Sequence, residues 1–140
     1  MFTIDTSTSF GSRVTKQLAD EVIMWLTTVG RSGAPHPTPV WFLWTGSEIL
    51  VFSQRGKAKL HNIAANPNVA TNFNATHTGG DIGVINGAAQ LDENGPTDAE
   101  RSVYDEKYVD QMAGLNMSPE QFHQEYPLLI RITPDKLRGF

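Results

Sequence analysis

Apolar residues recur at two different periods along this chain. Val14, Leu18 and Val22 fall at i, i+4 spacing behind Ser12, a residue suited to capping, and predict a short helix. From Glu21 to Val29 the apolar positions (Val22, Ile23, Trp25, Leu26, Val29) run nearly without interruption, which predicts a strand buried on both faces. Arg31-Ser32-Gly33 reads as a hairpin turn, and Val40 to Trp44 as the next strand. Pro35, Pro37 and Pro39 precede that strand; proline cannot donate to a ladder, so this approach belongs to an edge or to irregular backbone. Thr45-Gly46-Ser47 is a turn into a third strand, Glu48 to Ser53. The period then changes: Leu60, Ile63 and Ala64 predict a helix over 57–65, stopped by Asn66-Pro67. Val69 to Ala75 and Ile82 to Leu91 predict two more strands around Thr78-Gly79-Gly80. Thr97-Asp98-Ala99-Glu100 is a capping box opening a helix to about Met112, whose acidic side reads as a solvated face. Ser118-Pro119-Glu120-Gln121 repeats the device, and Leu128 to Thr133 is the last strand. About six mostly antiparallel strands with short flanking helices favour a small, mainly β (α+β) barrel over a doubly wound sheet.

Composition narrows the class. The 140 residues suit one domain, 1–140, with its own core. Fifteen acids against eleven bases give a net charge of −4, which argues against binding nucleic-acid backbones. The absence of cysteine excludes disulfides, thiolate metal sites and a cysteine nucleophile. Met1 to Gly11 has neither a basic region nor an apolar run, and no apolar stretch approaches the length of a membrane span. These features predict a soluble, cytoplasmic domain with no membrane partner.

Charge position is the most informative chemical signal. Between Glu48 and Asp81 lie 32 residues without an acid, and Arg55, Lys57 and Lys59 make that window +3 while the rest of the chain carries −7. Two of these bases sit at a predicted helix N-terminus, where the macrodipole disfavours cations. A helix start that gathers cations and free N–H groups suits an anion, and Gly56 lets the backbone turn closely around it. The segment Ser53-Gln54-Arg55-Gly56-Lys57-Ala58-Lys59 is therefore a candidate phosphate cradle. A solvated basic turn would carry the same charges, and charge alone does not separate the two. His36, His61, His77 and His123 lack metal-ligand spacing, so no metal site is expected. Ser12 and Ser53 lack a nucleophile motif, and Gly79, Gly80, Gly83 and Gly87 do not form a dinucleotide fingerprint. Trp41, Phe42 and Trp44 suit either a core or a ring-stacking surface.

Three segments together carry a resemblance: Pro39-Val40-Trp41-Phe42-Leu43-Trp44; Phe52 to Leu60 with Asn62; and Asn66-Pro67-Asn68-Val69-Ala70. They resemble the pyridoxamine 5′-phosphate oxidase-like superfamily of flavin and deazaflavin oxidoreductases. The proline-valine-tryptophan strand and the glycine-lysine segment look most like the branch that uses coenzyme F420 in actinobacteria. The resemblance extends from Ile23 to Arg138-Gly139-Phe140. It implies an FMN-binding type of split β-barrel, assembled as a homodimer with cofactor at the subunit interface. It assigns Arg55, Lys57 and Lys59 to phosphate binding and runs the Val40-Trp41-Phe42 strand beside the ring. The C-terminal residues by which true pyridoxamine phosphate oxidases hold substrate phosphate are not found, so that activity is not expected. The implied reaction is hydride transfer between reduced F420 and a small, conjugated organic substrate, with no obligate acid or base visible in the sequence. An FMN-binding oxidoreductase of the same fold and a protein that stores F420 without turnover are the alternatives.

Overall fold

The computed structural model describes residues 1–140. Its first helix, α1 (Ser9–Asp20), starts earlier than the Ser12 signal suggested: Thr8 is the cap, its hydroxyl accepting from the Gly11 N–H at 2.9 Å. Val14 and Leu18 are wholly buried, whereas Val22 falls beyond the helix and stays exposed. The strands follow as β1 (Ile23–Val29), β2 (Pro35–Trp41), β3 (Leu43–Trp44) and β4 (Ile49–Ser53). Then come α2 (Ala58–Ala65), β5 (Asn68–Asn72), β6 (Gly83–Asp92), α3 (Asp98–Gly114), α4 (Pro119–Glu125) and β7 (Leu128–Gly139). Both capping boxes form as the sequence predicts, at Thr97/Glu100 and Ser118/Gln121.

All seven strands join one antiparallel sheet in the order β2-β1-β5-β6-β7-β4-β3, one strand more than expected. The sheet curls until β2 approaches β4 without pairing to it, which leaves a seam in a half-closed barrel. The proline-rich approach is itself strand: Pro35, Pro37 and Pro39 sit opposite Val29, Thr27 and Trp25. Their common parity turns all three imide nitrogens to the open side of this edge strand.

Burial in β1 alternates, with Met24, Leu26 and Thr28 inside, so the expectation of burial on both faces fails there. The residues between them are only half buried, and the Trp25 indole N–H donates to Asn74 Oδ1 at 2.9 Å on the outer face. The strand covered on both sides is β4, which separates two cores. Inside the barrel, Ile49 and Val51 join Met24, Leu26, Phe42, Ile85, Ile130 and Ile132, with Val14 and Leu18 of α1 packed against them. Outside it, Leu50 and Phe52 meet Tyr104, Tyr108 and Met112 of α3 and Phe122 of α4. The acidic helix is therefore no merely solvated face. One i, i+4, i+8 stripe of it is buried.

Candidate active site

The sequence candidates gather around the seam, and the structure divides them between two adjacent hollows. Pro39, Val40 and Trp41 of β2, Phe52 of β4 and Lys59 of α2 line a cleft of about 190 Å3. Its remaining wall comes from the helices: Tyr104, Leu115, Phe122 and Tyr126. Trp41 is held flat between two rings, Tyr108 at 4.8 Å and Phe122 at 5.4 Å between centroids, with interplanar angles of 5° and 17°. Tyr126 stacks in turn on Phe122 at 4.7 Å. Trp41, Phe122 and Tyr126 thus form a run of nearly parallel rings along the cleft, with Phe52 standing edge-on to Phe122.

The second hollow is polar and is lined by Gln54, Arg55 and Lys57 with Gln124, Glu125 and Pro127. Gly56 turns the chain here at φ +71°, in the left-handed region, with open space where a side chain would stand. Lys57 is the N-cap of α2 but makes no side-chain capping bond, so the first amides of the helix keep their donors unpaired by any cap. Arg55 and Lys57 form none of the chain's ion pairs. The acid-free window is less pure in space than in sequence, because α4 brings Glu125 to this rim, where Gln54 Nε2 donates to its carboxylate at 2.9 Å.

Other candidates are placed differently from one another. Ser53 is buried, its hydroxyl donating to the Gln54 carbonyl at 2.8 Å. Ala58 is the exposed first residue of α2. Phe42 does not reach the cleft: its ring lies in the barrel core, its N–H donates to the Tyr108 hydroxyl at 2.8 Å, and its carbonyl accepts from Lys107 Nζ at 2.8 Å. Packing makes Phe42 a support for its neighbour Trp41 and leaves no group of it free for a ligand. Lys59 points away from its basic neighbours into the aromatic cleft. Burial first, and then the charge of Lys57, hold its ammonium below the ordinary lysine value.

Tyr104, Leu115, Phe122 and Tyr126 were not among the sequence candidates. The spacing Tyr104-Tyr108-Met112 could have announced an inward aromatic stripe, but nothing in sequence distance connects α3 to a proline strand sixty residues earlier. His123 reaches Asp105 through Nε2 at 2.7 Å and stands edge-on to Phe52, tying α4 to α3 rather than lining the cleft. A larger hollow, about 890 Å3, lies between the N-terminal segment and the turn before β4. It holds no lysine, arginine, histidine or tyrosine.

Comparison with known proteins agrees with this architecture. The family model described as pyridoxamine 5′-phosphate oxidase matches residues 11–139. No curated protein sequence matches the chain. Among solved structures, a candidate pyridoxamine 5′-phosphate oxidase from Listeria innocua superposes with a TM-score of 0.67 at 23% identity, over 91% of this chain and 94% of that one. An F420 reductase gives 0.66 at 20% identity, over 88% of this chain and 94% of its own. HutZ, the heme storage protein of Vibrio cholerae, gives 0.70 at 16% identity, with 94% of each chain covered. At these identities the likeness is one of fold, the split barrel.

Proposed function

The chain belongs to the pyridoxamine 5′-phosphate oxidase family, and from that premise we propose that it is an F420-dependent oxidoreductase acting on a small conjugated substrate. One observation carries the reading: a polar hollow with two cations that form none of the chain's ion pairs opens beside an aromatic cleft. A cofactor that joins a flat tricycle to a phosphate needs that pair of surfaces. Arg55 and Lys57 would hold the phosphate, helped by the first amides of α2 and by the close turn at Gly56. Pro39, Val40 and Trp41 would flank the ring, and the stack of Tyr108, Trp41 and Phe122 fixes that wall so that it does not reorganise on binding. Bound F420 supplies hydride chemistry; the protein supplies orientation and exclusion of water.

The cleft on one chain is partly open to solvent, so the reading includes a homodimer whose second subunit closes it. F420 over FMN rests on the width of the basic region, since the F420 tail carries further carboxylates. The test is a titration of the purified protein with F420 and with FMN, followed by ring fluorescence at two salt concentrations. Tighter F420 binding that weakens with salt is expected. Lys57→Ala and Arg55→Ala should each weaken it about 10- to 150-fold, the worth of a charge-assisted contact. Tighter FMN binding overturns the cofactor assignment, and unchanged affinity in both variants overturns the cradle.

A further inference from the structure

Two polar groups on the wall of the aromatic cleft have no partner in the chain. Tyr104 is 1% exposed, and its hydroxyl makes no hydrogen bond within the chain. Its hydroxyl is not among the fully enclosed polar atoms that lack a partner, which are those of Thr15 and Gln111. The small accessible area left to Tyr104 therefore includes its hydroxyl, and the residue lines the cleft. Buried tyrosine hydroxyls ordinarily find a partner. Lys59 is the second group. It is half-buried, and the chain's ion pairs belong to Arg13, Lys16, Arg101, His123 and Arg131. An ammonium drawn partly out of water with no counter-charge is unfavourable until an anion meets it.

The chemistry of the walls specifies the rest of the ligand. An enclosed apolar cavity of about 150 Å3 accommodates benzene, so a cleft of about 190 Å3 with an open mouth accommodates one ring and a short conjugated arm. The stacked, nearly parallel rings of Trp41, Phe122 and Tyr126 give the cleft an aromatic wall that suits a flat apolar body. One cation and one neutral donor balance a single negative charge. A phosphate dianion would be left half neutralised here and fits better beside Arg55 and Lys57, in the neighbouring hollow.

We propose that the part of this cleft at Lys59 and Tyr104 is the substrate pocket, next to the β2 wall that the proposed function gives to the cofactor ring, and that it selects planar aromatic or conjugated carboxylates, the carboxylate meeting the Lys59 ammonium and the Tyr104 hydroxyl. The proposal rests on the oxidoreductase reading above and names the substrate class of the same site. Tyr104 is then a specificity-determining residue, reached from a helix that sequence patterning had assigned to solvent.

Calorimetric titration of the whole, cofactor-free protein with cinnamate and with cinnamamide, which share a shape and differ in charge, tests it. Cinnamate should bind about tenfold tighter or more, the worth of one charge-assisted hydrogen bond. Tyr104→Phe, which keeps the ring and its packing, should weaken cinnamate more than cinnamamide and so erode that preference, and Lys59→Met should abolish it. Should Tyr104→Phe melt early, Lys59→Met decides alone, because Lys59 is only half-buried and holds no hydrogen bond or ion pair within the chain. Equal affinity for acid and amide, a preference that survives both variants, or no binding of either compound overturns the proposal. An F420 titration run in parallel keeps the two readings apart. F420 binding without cinnamate selectivity sinks the substrate class alone, and cinnamate selectivity without F420 binding sinks the cofactor reading alone.

Discussion

Tyr108→Phe removes one oxygen atom from the junction between the two cores, and its effect can be worked out bond by bond. The hydroxyl accepts from the Phe42 N–H at 2.8 Å and lies 2.7 Å from the Val22 carbonyl and 2.9 Å from the Phe42 carbonyl. Having one proton, it donates best to the nearer of these, Val22. When the oxygen is lost, the Val22 carbonyl belongs to a residue 38% exposed and turns to water at little cost. The Phe42 carbonyl keeps Lys107 Nζ at 2.8 Å. The Phe42 N–H has no such recourse: its residue is 0% exposed, and the donor is left orphaned. An unsatisfied buried donor costs about 1–3 kcal/mol. The aromatic stack survives, because phenylalanine presents the same ring to Trp41. The expected loss is therefore about 2 kcal/mol, or a fall in Tm of roughly 5–10 °C for a domain of this length. Urea unfolding followed by tryptophan fluorescence at fixed protein concentration should show a lower midpoint with an unchanged slope. Lys107→Met in the same background should destabilise by more than the sum of the single changes, since with Lys107 alone removed the Tyr108 hydroxyl can turn its proton to the Phe42 carbonyl, a rescue that the double variant lacks. A loss below about 0.5 kcal/mol, or strict additivity, would refute the view that this hydroxyl is what the break between β2 and β3 hangs on.

Other outcomes follow from the same coordinates. Arg131 of β7 gathers Glu48, Asp92 and Glu100 at 3.2, 2.6 and 2.7 Å, and its hydrogen bonds to Glu100 hold that carboxyl down at about 2. A carboxyl depressed on folding contributes stability that is present above its unfolded value and lost as pH falls toward the folded one. Denaturation midpoints should therefore drop between about pH 4.5 and pH 2, by about 1–2 kcal/mol for Glu100 after allowance for solvent screening; Arg131→Met should flatten that drop, and an equally steep one would contradict the assignment. Gly87→Ala places a Cβ 2.5 Å from the Thr133 carbonyl oxygen at the bulge between β6 and β7. The sheet must shift to admit it, so a loss of about 1–3 kcal/mol is expected by thermal unfolding, and wild-type stability would show the bulge to be soft. Light scattering at micromolar concentration should return twice the chain mass of 15.4 kDa, and the mass of one chain would remove the shared site.

The fold was legible wherever a local rule sufficed. The two capping boxes, the Gly33 turn and the Asn66-Pro67 stop each act within a few residues, and each falls where the sequence places it. Burial was misjudged where the decision belonged to distant elements. Nothing within β1 says that its outer face stays half open, or within β4 that two helices from the far half of the chain cover Leu50 and Phe52. The site divides the same way. The basic turn and the ring-bearing strand could be named in advance, because each is a contiguous run. That Lys59 would leave the cradle for the aromatic cleft depends on the course of α2, and the presence of Tyr104 and Tyr126 there depends on α3 and α4 folding back over β4. Those are tertiary facts with no local signature.

The prolines of β2 have a bearing on how molecules of this protein meet. A strand recruits another through alternating amide donors and carbonyl acceptors, and the outward side of β2 offers the carbonyls of Pro35, Pro37 and Pro39 with no donor between them. At the opposite margin β3 has only two residues to offer. Both free margins of the sheet are thus blunted, one by chemistry and one by length, against runaway strand-to-strand polymerisation. Any stable association of two copies must be written in side chains and faces, which leaves the geometry of assembly under the control of shape and charge and open to adjustment by single substitutions without risk to the backbone lattice.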